Sequence, residues 1–295
     1  MSDGIACVVL SLADEPGLVA AVGSLLDQSP PPDELVVVNS GGGTPARALA
    51  AAGLDVRLVD QAPRLNPGAV RNLGIAATTA RYVAFLAADC VALPGCTEGR
   101  LREHGRGAAA VAGTMANATP RSRPATASFL LQHNRRLPHT PAPQRAHYSL
   151  SYDRELFERF GLFRDDLRSG EDTEFNGRFA ADEPIAWAQD VAAVHAYPTT
   201  VASMVADQFA RGRRQAITLT GLRGVRQRAH VASWAPGNVA DCVRRAGTVP
   251  VGSRTSLLAA LPLVAVGAVA HATGALTTRR RLLDEQSVGP DPLQT

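Results

Sequence analysis

Four side chains of this sequence have the chemistry of a reactive site: Asp89, the adjacent pair Glu171 and Asp172, and His195. Asp89 follows an apolar run, Tyr82–Leu86, which predicts a buried strand. Ligands of open α/β sheets bind at the carboxyl ends of the strands, so a carboxylate there could hold a divalent metal against phosphate oxygens. The alternative interpretation is that Asp89 caps the turn that precedes Pro94.

Glu171 and Asp172 are candidates for general-base catalysis. A carboxylate within hydrogen-bond reach can take the proton of an attacking hydroxyl, and inversion at a carbon needs that base opposite the leaving group. The alternative is that both acids complement the dipole at a helix N-terminus. His195 could offer a neutral imidazole to a metal, although a histidine beside an apolar strand is more often structural. Trp187 could stack on a substrate ring or pack in the core.

Composition limits the class of protein. The 295 residues are 45% hydrophobic and 19% charged, which suits one large α/β domain with an appendage or two modest domains. The net charge of +3 gives no reason to expect a nucleic-acid partner. All basic side chains are Arg, so a phosphate would be held by Arg forks, backbone N–H groups or a metal. The four cysteines show no pairing or metal spacing, and no signal peptide is apparent; both features favour a cytoplasmic protein.

Strand and helix patterns alternate along the first half of the chain. Strands are predicted over 5–10, 34–38, 56–59, 82–86 and 108–112, and helices over 18–26, 46–52, from Pro67 and over 94–104. This alternation with short connections predicts an α/β fold with a doubly wound, mainly parallel sheet. Further on, we expect a helical piece over 127–135 within an irregular segment (117–143) that would cover the site or receive the acceptor. An extended stretch over 147–150, helices over 153–160 and after Gly170, and strands over 185–188 and 191–195 follow.

A Gly-rich turn, Asn39–Gly43, follows the second predicted strand. Glycine lets a ligand approach the backbone closely, although a flexible connection would look the same. The spacing is not G-x-G-x-x-G, so a dinucleotide site is not indicated.

The C-terminal third of the chain has a different character. No acid occurs between Gln208 and Ala240, where arginines cluster, and 256–276 is a run of 21 uncharged residues. That run is long enough to cross a bilayer, but Pro262 weakens it and a single span would place Arg279–Arg281 outside. We therefore expect a helix packed on the domain or lying on the membrane surface, with arginines facing anionic lipid or a lipid-diphosphate acceptor. The predicted division is 1–200, a helical arm over 201–282 and a disordered tail over 283–295.

Taken together, these stretches resemble the family 2 glycosyltransferases, which have the GT-A fold with its Rossmann-like nucleotide-binding sheet. The resemblance runs from about Ile5 to Pro198. It is carried by Val8–Ser11, Val36–Gly41, Gly68–Gly74, Phe85–Cys90, Gly161–Phe163, Gly170–Asp172 and His195 followed by Pro198. It implies that the donor nucleotide is bound by Ser11, Asp14, Asn39, Gly41, Arg71, Asn72, Ala87 and Asp89. It also implies a Mg²⁺ or Mn²⁺ ion on Asp89 and His195, and a catalytic acid pair, Glu171 and Asp172, with Asp172 as the base.

The resemblance implies an inverting transferase. Asp172 would deprotonate an acceptor hydroxyl, which attacks the anomeric carbon of a nucleotide-sugar, in cell-surface polysaccharide or glycolipid assembly at the inner face of the membrane. The acceptor, a glycan or lipid-linked molecule, would be bound by Trp187, Arg211 and Arg213. Arg71, Arg211 or Arg213 could also support the departing diphosphate.

Two positions depart from the family pattern. The family has Asp at both 87 and 89, and here the first is Ala87; Asn39 also stands where Asp is usual. An altered donor, a metal-independent enzyme or a catalytically idle sugar-nucleotide-binding or scaffold subunit would each be consistent with these losses.

Overall fold

The structure is a computed structural model that describes residues 4–142, 145, 147, 150–183, 185–218, 225–246 and 251–278. The predicted tail (283–295) and Arg279–Arg281 lie outside the described residues. The chain divides into two compact units, one formed by 1–116 and 136–195 and the other by 117–135 and 196–295. The predicted boundary at residue 200 stays a prediction; by its contacts, the segment 117–135 groups with the C-terminal helices.

The first unit is built on a sheet with the strand order β3-β2-β1-β4-β7-β6-β8-β5. The strands are β1 (Ile5–Leu12), β2 (Glu34–Ser40), β3 (Arg57–Gln61), β4 (Tyr82–Ala87), β5 (Cys90–Ala92), β6 (Ala110–Asn117), β7 (Ser151–Asp153) and β8 (Ile185–His195). β1 is parallel to β2 and β4, and β2 is parallel to β3. β7 is antiparallel to β4 and β6, and β5 is antiparallel to β8. The parallel half carries the predicted nucleotide-binding ends.

The described residues form ten helices. They are α1 (Leu18–Leu26), α2 (Pro45–Ala51), α3 (Pro67–Ala76), α4 (Cys96–Gly105), α5 (Arg123–His133), α6 (Glu155–Phe160), α7 (Glu171–Phe179), α8 (Val201–Thr218), α9 (Val225–Ala246) and α10 (Val251–Thr277). Helices α5, α8, α9 and α10 belong to the second unit.

Both faces of the sheet are covered, as expected for parallel strands joined by helices. Successive residues of β1 enter two different cores: Val9 packs in a cluster with Leu18 of α1, and Val8 packs in another with Val70 of α3. The near-continuous apolar run of β1 therefore reflects burial on both sides, which confirms the α/β fold class predicted from the sequence.

An aromatic cluster connects β4 to α7. The ring centroids of Phe163 and Phe175 are 4.8 Å apart, those of Phe85 and Phe163 are 5.7 Å apart, and those of Tyr152 and Phe175 are 5.5 Å apart. Such edge and tilted pairs add to the burial of the rings. The cluster fixes the first turn of α7 relative to the central strand.

The structure corrects three details of the predicted elements. The two short strands expected over 185–188 and 191–195 are one strand, β8. The helix expected from Asp153 begins at Glu155, because Asp153 pairs with Tyr82 in the ladder between β7 and β4. The helix of the irregular segment begins earlier than expected, where Ser122 Oγ accepts a hydrogen bond from the N–H of Ala125.

In the second unit, α10 packs against α5, α8 and α9. A Cβ on Gly212 would lie 1.9 Å from the carbonyl oxygen of His271, so α8 and α10 are in backbone contact at small residues. Within the described residues, one helix is long and apolar enough to cross a membrane: 24 residues of α10 (Arg254–Thr277), with a mean hydropathy of 1.8. Its outward side chains include Leu258, Val266 and Val269, which are exposed.

Candidate active site

Three polar side chains lie in register at the carboxyl ends of β1, β2 and β3. Ser11 pairs with Asn39, and Asn39 pairs with Asp60. The Nδ2 of Asn39 donates to Asp60 Oδ1 at 2.9 Å and to the carbonyl oxygen of Gly42 at 2.8 Å. Asn39 is fully buried and Asp60 is exposed, so a carboxylate lies directly beside the position where the family pattern would place one.

Asp60 is not among the site residues predicted from the sequence. The third strand was predicted to end at residue 59, and an acid immediately after a strand is the signal that singled out Asp89. The same signal applied to β3 would have found Asp60.

Asp14 ties the loop after β1 to the loop after β2. Its Oδ1 accepts hydrogen bonds from the N–H of Thr44 at 2.6 Å and from Thr44 Oγ1 at 3.0 Å. Gly41 has a φ of 89°, a backbone conformation that residues other than glycine rarely adopt. These contacts shape the rim of the sheet, and the donor-binding roles of Asp14 and Gly41 stay predictions.

Arg71 of α3 is buried against the acid pair. Its Nε donates to Glu171 Oε1 at 3.0 Å, and its NH2 nitrogen lies 3.9 Å from Asp172 Oδ2. Its guanidinium carbon lies 5.0 Å from the ring centroid of Phe85 and 5.6 Å from that of Phe163. Burial alone would lower the pKa of Arg71, but the carboxylates of Asp172 and Glu171 outweigh it and raise the pKa. This arrangement does not favour the predicted phosphate role of Arg71, because its guanidinium is already engaged by carboxylates.

Asn72 performs a similar structural task. Its Nδ2 donates to the carbonyl oxygen of Phe163 at 2.9 Å, and its Oδ1 accepts from the N–H of Phe163 at 3.1 Å. Both ends of the amide therefore hold the turn that leads to α7, and a donor-binding role for Asn72 stays a prediction.

Glu171 and Asp172 occupy the first turn of α7 and differ in exposure. The Glu171 side chain is 6% exposed, whereas the Asp172 side chain is 14% exposed. Asp172 Oδ1 accepts a hydrogen bond from the N–H of Thr173 at 2.7 Å. The helix dipole favours both negative charges. The acid pair can therefore complement the helix dipole and still supply a general base. Glu171 anchors Arg71, and the Asp172 carboxylate keeps some exposed surface for a substrate.

A second polar group lies where β4 ends and β5 begins. His195 Nε2 lies 3.1 Å from Asp89 Oδ2, and Cys90 Sγ donates to Asp89 Oδ1 at 3.4 Å. Cys90 is directly opposite His195 in the antiparallel pairing of β5 with β8. One ligand atom from each of the three residues lies within 4.8 Å of the others, and oxygen, nitrogen and sulfur donors together suit a divalent transition metal.

Cys90 therefore belongs to a group that could hold a metal ion, which the spacing of the cysteines along the sequence does not indicate. The metal-ligand pair Asp89 and His195 does come together, as the resemblance implied, while Ala87 brings no carboxylate to the group. Burial raises the pKa of the Cys90 thiol, and the neighbouring Asp89 carboxylate raises it further.

The predicted acceptor residues lie in different units. Trp187 is partly buried against the core around Phe175, and the guanidinium of Arg145 lies 5.1 Å from its ring centroid. Within the described residues, the Trp187 Nε1 hydrogen has no acceptor. Arg211 and Arg213 belong to α8 of the second unit, where Arg211 Nε is 2.9 Å from Asp207 Oδ2. The acceptor roles of all three stay predictions.

Residues 7–160 match the family described as "Glycosyl transferase family 2", which is more than half of the chain. The chain belongs to glycosyl transferase family 2. As a family 2 glycosyltransferase it catalyses sugar transfer, and the resemblance drawn from its motifs is confirmed.

Similarity to a solved structure supports the GT-A fold of this family 2 glycosyltransferase. Mannosyltransferase PcManGT from Pyrobaculum calidifontis, solved in complex with GDP-Man and Mn²⁺, is 18% identical with a TM-score of 0.58; the match covers 92% of this chain and 87% of that one. TarS from S. aureus is 14% identical with a TM-score of 0.49, over 94% of this chain and 55% of TarS. A search among curated proteins gives no match.

Proposed function

We propose that this family 2 glycosyltransferase is an inverting enzyme that moves a sugar from a nucleotide-sugar to a hydroxyl of a glycan or lipid-linked acceptor, in cell-surface polysaccharide or glycolipid biosynthesis. The observation that carries the proposal is the accessible Asp172 carboxylate, held at the start of α7 by the buried pair of Arg71 and Glu171. An idle binding subunit would have no need for a carboxylate that is both anchored and reachable.

The base step follows from this geometry. Asp172 takes the proton of the acceptor hydroxyl as that oxygen attacks the anomeric carbon, and the bond from this carbon to the diphosphate breaks on the opposite face. Arg71 stacks on Phe85 of β4, and β4 leads directly to Asp89. The base and the group that would meet the diphosphate are therefore fixed to the same central strand.

The donor nucleotide is proposed to bind at the carboxyl ends of β1, β2 and β3. Asn39 offers a buried amide, and Asp60 supplies the carboxylate that Asn39 lacks. Asp89, His195 and the adjacent Cys90 fit a divalent ion, which when bound would offset charge on the departing diphosphate as a Lewis acid. PcManGT was solved with GDP-Man and Mn²⁺, and this donor and ion are the first to test.

The test is nucleotide release from GDP- and UDP-sugars, with and without Mn²⁺, alongside donor binding by calorimetry. We expect Mn²⁺-dependent turnover that falls by about 100-fold or more in Asp172→Asn, because general-base catalysis contributes 10²–10⁴-fold. Donor affinity should be unchanged in that variant and weakened in Asp89→Ala. Turnover unaffected by Asp172→Asn would contradict the assignment of the base. Failure of the wild type to bind any donor would instead favour a scaffold subunit.

We further propose that the protein is cytoplasmic and contacts the inner face of the cell membrane through α10. One side of this helix packs on α5, α8 and α9, and the outward Leu258, Val266 and Val269 present an uncharged apolar surface. Such a surface binds the interface region of a bilayer. Val269→Glu should reduce cosedimentation with phosphatidylglycerol-containing vesicles, while Val243→Glu, at a similarly exposed position on α9, should not. Equal vesicle binding by both variants would contradict membrane contact through α10.

A further inference from the structure

We propose that Cys90 is a third protein ligand of the metal site, so that this site binds its ion through oxygen, nitrogen and sulfur. The inference rests on the proposed metal site of the transferase and extends it to a residue outside the family pattern. It also predicts which metals the site prefers.

The fold places Cys90 in the right position. In an antiparallel ladder, side chains of directly opposed residues point to the same face of the sheet. Cys90, the first residue of β5, is opposed to His195, the last residue of β8. Asp89 immediately precedes Cys90, and its two carboxylate oxygens already contact the other two side chains.

The distances suit one shared ion. Two ligands bound tetrahedrally at about 2.0 Å for nitrogen and 2.3 Å for sulfur lie about 3.5 Å apart. His195 Nε2 lies 3.1 Å from Asp89 Oδ2, and Cys90 Sγ lies 3.4 Å from Asp89 Oδ1. One ligand atom from each of the three residues lies within 4.8 Å of the other two. A modest approach of His195 to Cys90 would complete a three-ligand site. Since Asp89 is half-exposed, further positions remain open on the solvent side for diphosphate oxygens.

The chemistry of the donor set has a consequence for metal choice. Mg²⁺ favours oxygen ligands, whereas thiolate and imidazole favour borderline transition metals such as Co²⁺ and Zn²⁺. In the family pattern the carboxylate at position 87 would add a hard oxygen donor; here Ala87 leaves that place without a donor, and Cys90 adds sulfur. We therefore expect a stronger preference for Co²⁺ and Zn²⁺ over Mg²⁺ than an oxygen-and-nitrogen site would give.

The test is titration of the full chain with Co²⁺, with and without GDP or UDP, followed by near-ultraviolet absorption. The wild type should develop a thiolate-to-cobalt charge-transfer band. Cys90→Ser should lose that band and bind Co²⁺ at least about 10-fold more weakly, while its Mg²⁺ affinity changes little. The control is Cys96→Ser, because Cys96 is another buried cysteine and has no place in this group of ligands.

Circular dichroism of metal-free Cys90→Ser establishes that this variant is folded, and Cys90→Ala serves as a second variant. The proposal is overturned if wild-type protein gives no charge-transfer band under either condition, or if the band persists in Cys90→Ser. Because the readout is spectroscopic, it is independent of sugar transfer. A charge-transfer band without turnover would contradict the proposed reaction and still support the metal site.

Discussion

Replacement of Arg71 by Met tests whether the acid pair depends on one buried cation. The Arg71 and Glu171 side chains are 9% and 6% exposed, and their Nε–Oε1 distance is 3.0 Å. Removing one partner of a buried pair leaves the other charge uncompensated, which typically costs 3–5 kcal/mol. We expect Arg71→Met to lower the free energy of unfolding by about 3–5 kcal/mol, because methionine fills part of the space but satisfies neither Glu171 nor Asp172.

The assay is urea unfolding followed by far-ultraviolet circular dichroism, with a double-mutant cycle. Arg71→Met combined with Glu171→Gln should cost less than the sum of the single changes by about 1–3 kcal/mol, because the double variant no longer buries an unpaired acid. The control is Arg81→Met. Arg81 Nε is 3.1 Å from Asp153 Oδ2, but its side chain is 43% exposed, so this pair should contribute less than about 1 kcal/mol.

The cycle has a clear refuting result. If Arg71→Met costs no more than Arg81→Met, or if its coupling to Glu171→Gln is close to zero, the ion pair does not hold the first turn of α7. The aromatic cluster around Phe163 and Phe175 would then position Asp172 by itself.

Two further predictions concern close packing and pH. A Cβ on Gly68 would lie 2.0 Å from the carbonyl oxygen of Arg164, so Gly68→Ala should lower the free energy of unfolding by about 1–3 kcal/mol. A Cβ on Gly23 of α1 would meet open space, so Gly23→Ala should raise it by about 0.5–1 kcal/mol. Urea unfolding measures both variants, and equal effects would contradict the close approach at Gly68. Burial lowers the pKa of His104 from 6.5 to about 4, and its ring nitrogens lie 2.7 Å from the Ala108 carbonyl oxygen and 2.8 Å from Ser151 Oγ. The unfolded state therefore binds more protons between these pKa values, so stability should fall as pH drops from about 6.5 to 4, by up to about 3 kcal/mol, and His104→Gln should flatten that slope in unfolding titrations. An unchanged slope in His104→Gln would assign the pH dependence to other groups.

The parallel strands β1, β2 and β4 could be predicted from the sequence, because each is an apolar run bounded by polar or turn residues. Burial on both faces makes such runs conspicuous, as in β1 and β4. The merging of two predicted strands into β8 was not predictable from the same signal, since exposed Gln189 and Asp190 interrupt the apolar pattern at the sheet edge.

The candidate site likewise contains residues that the sequence indicates and contacts that only the folded chain shows. Asp89, Asp172 and His195 could be singled out because each stands at or next to the end of a recognisable element. The partner of Arg71 could not, because α3 and α7 are far apart in the sequence and only the folded chain brings them together. The spacing of the four cysteines along the sequence does not indicate Cys90 as a ligand. Its proximity to His195 depends on an antiparallel register that no local pattern encodes.

The two departures from the family pattern each have a polar neighbour in the folded chain. Asn39 lacks a carboxylate, and its own amide donates to the carboxylate of Asp60 on the next strand. Ala87 lacks a carboxylate, and the thiol of Cys90 lies beside Asp89 and His195. Asp60 brings its carboxylate from the next strand, and Cys90 brings a softer sulfur donor from three residues after Ala87. We therefore interpret these departures as a change of donor nucleotide or of metal, with Asp172 still present as the proposed base.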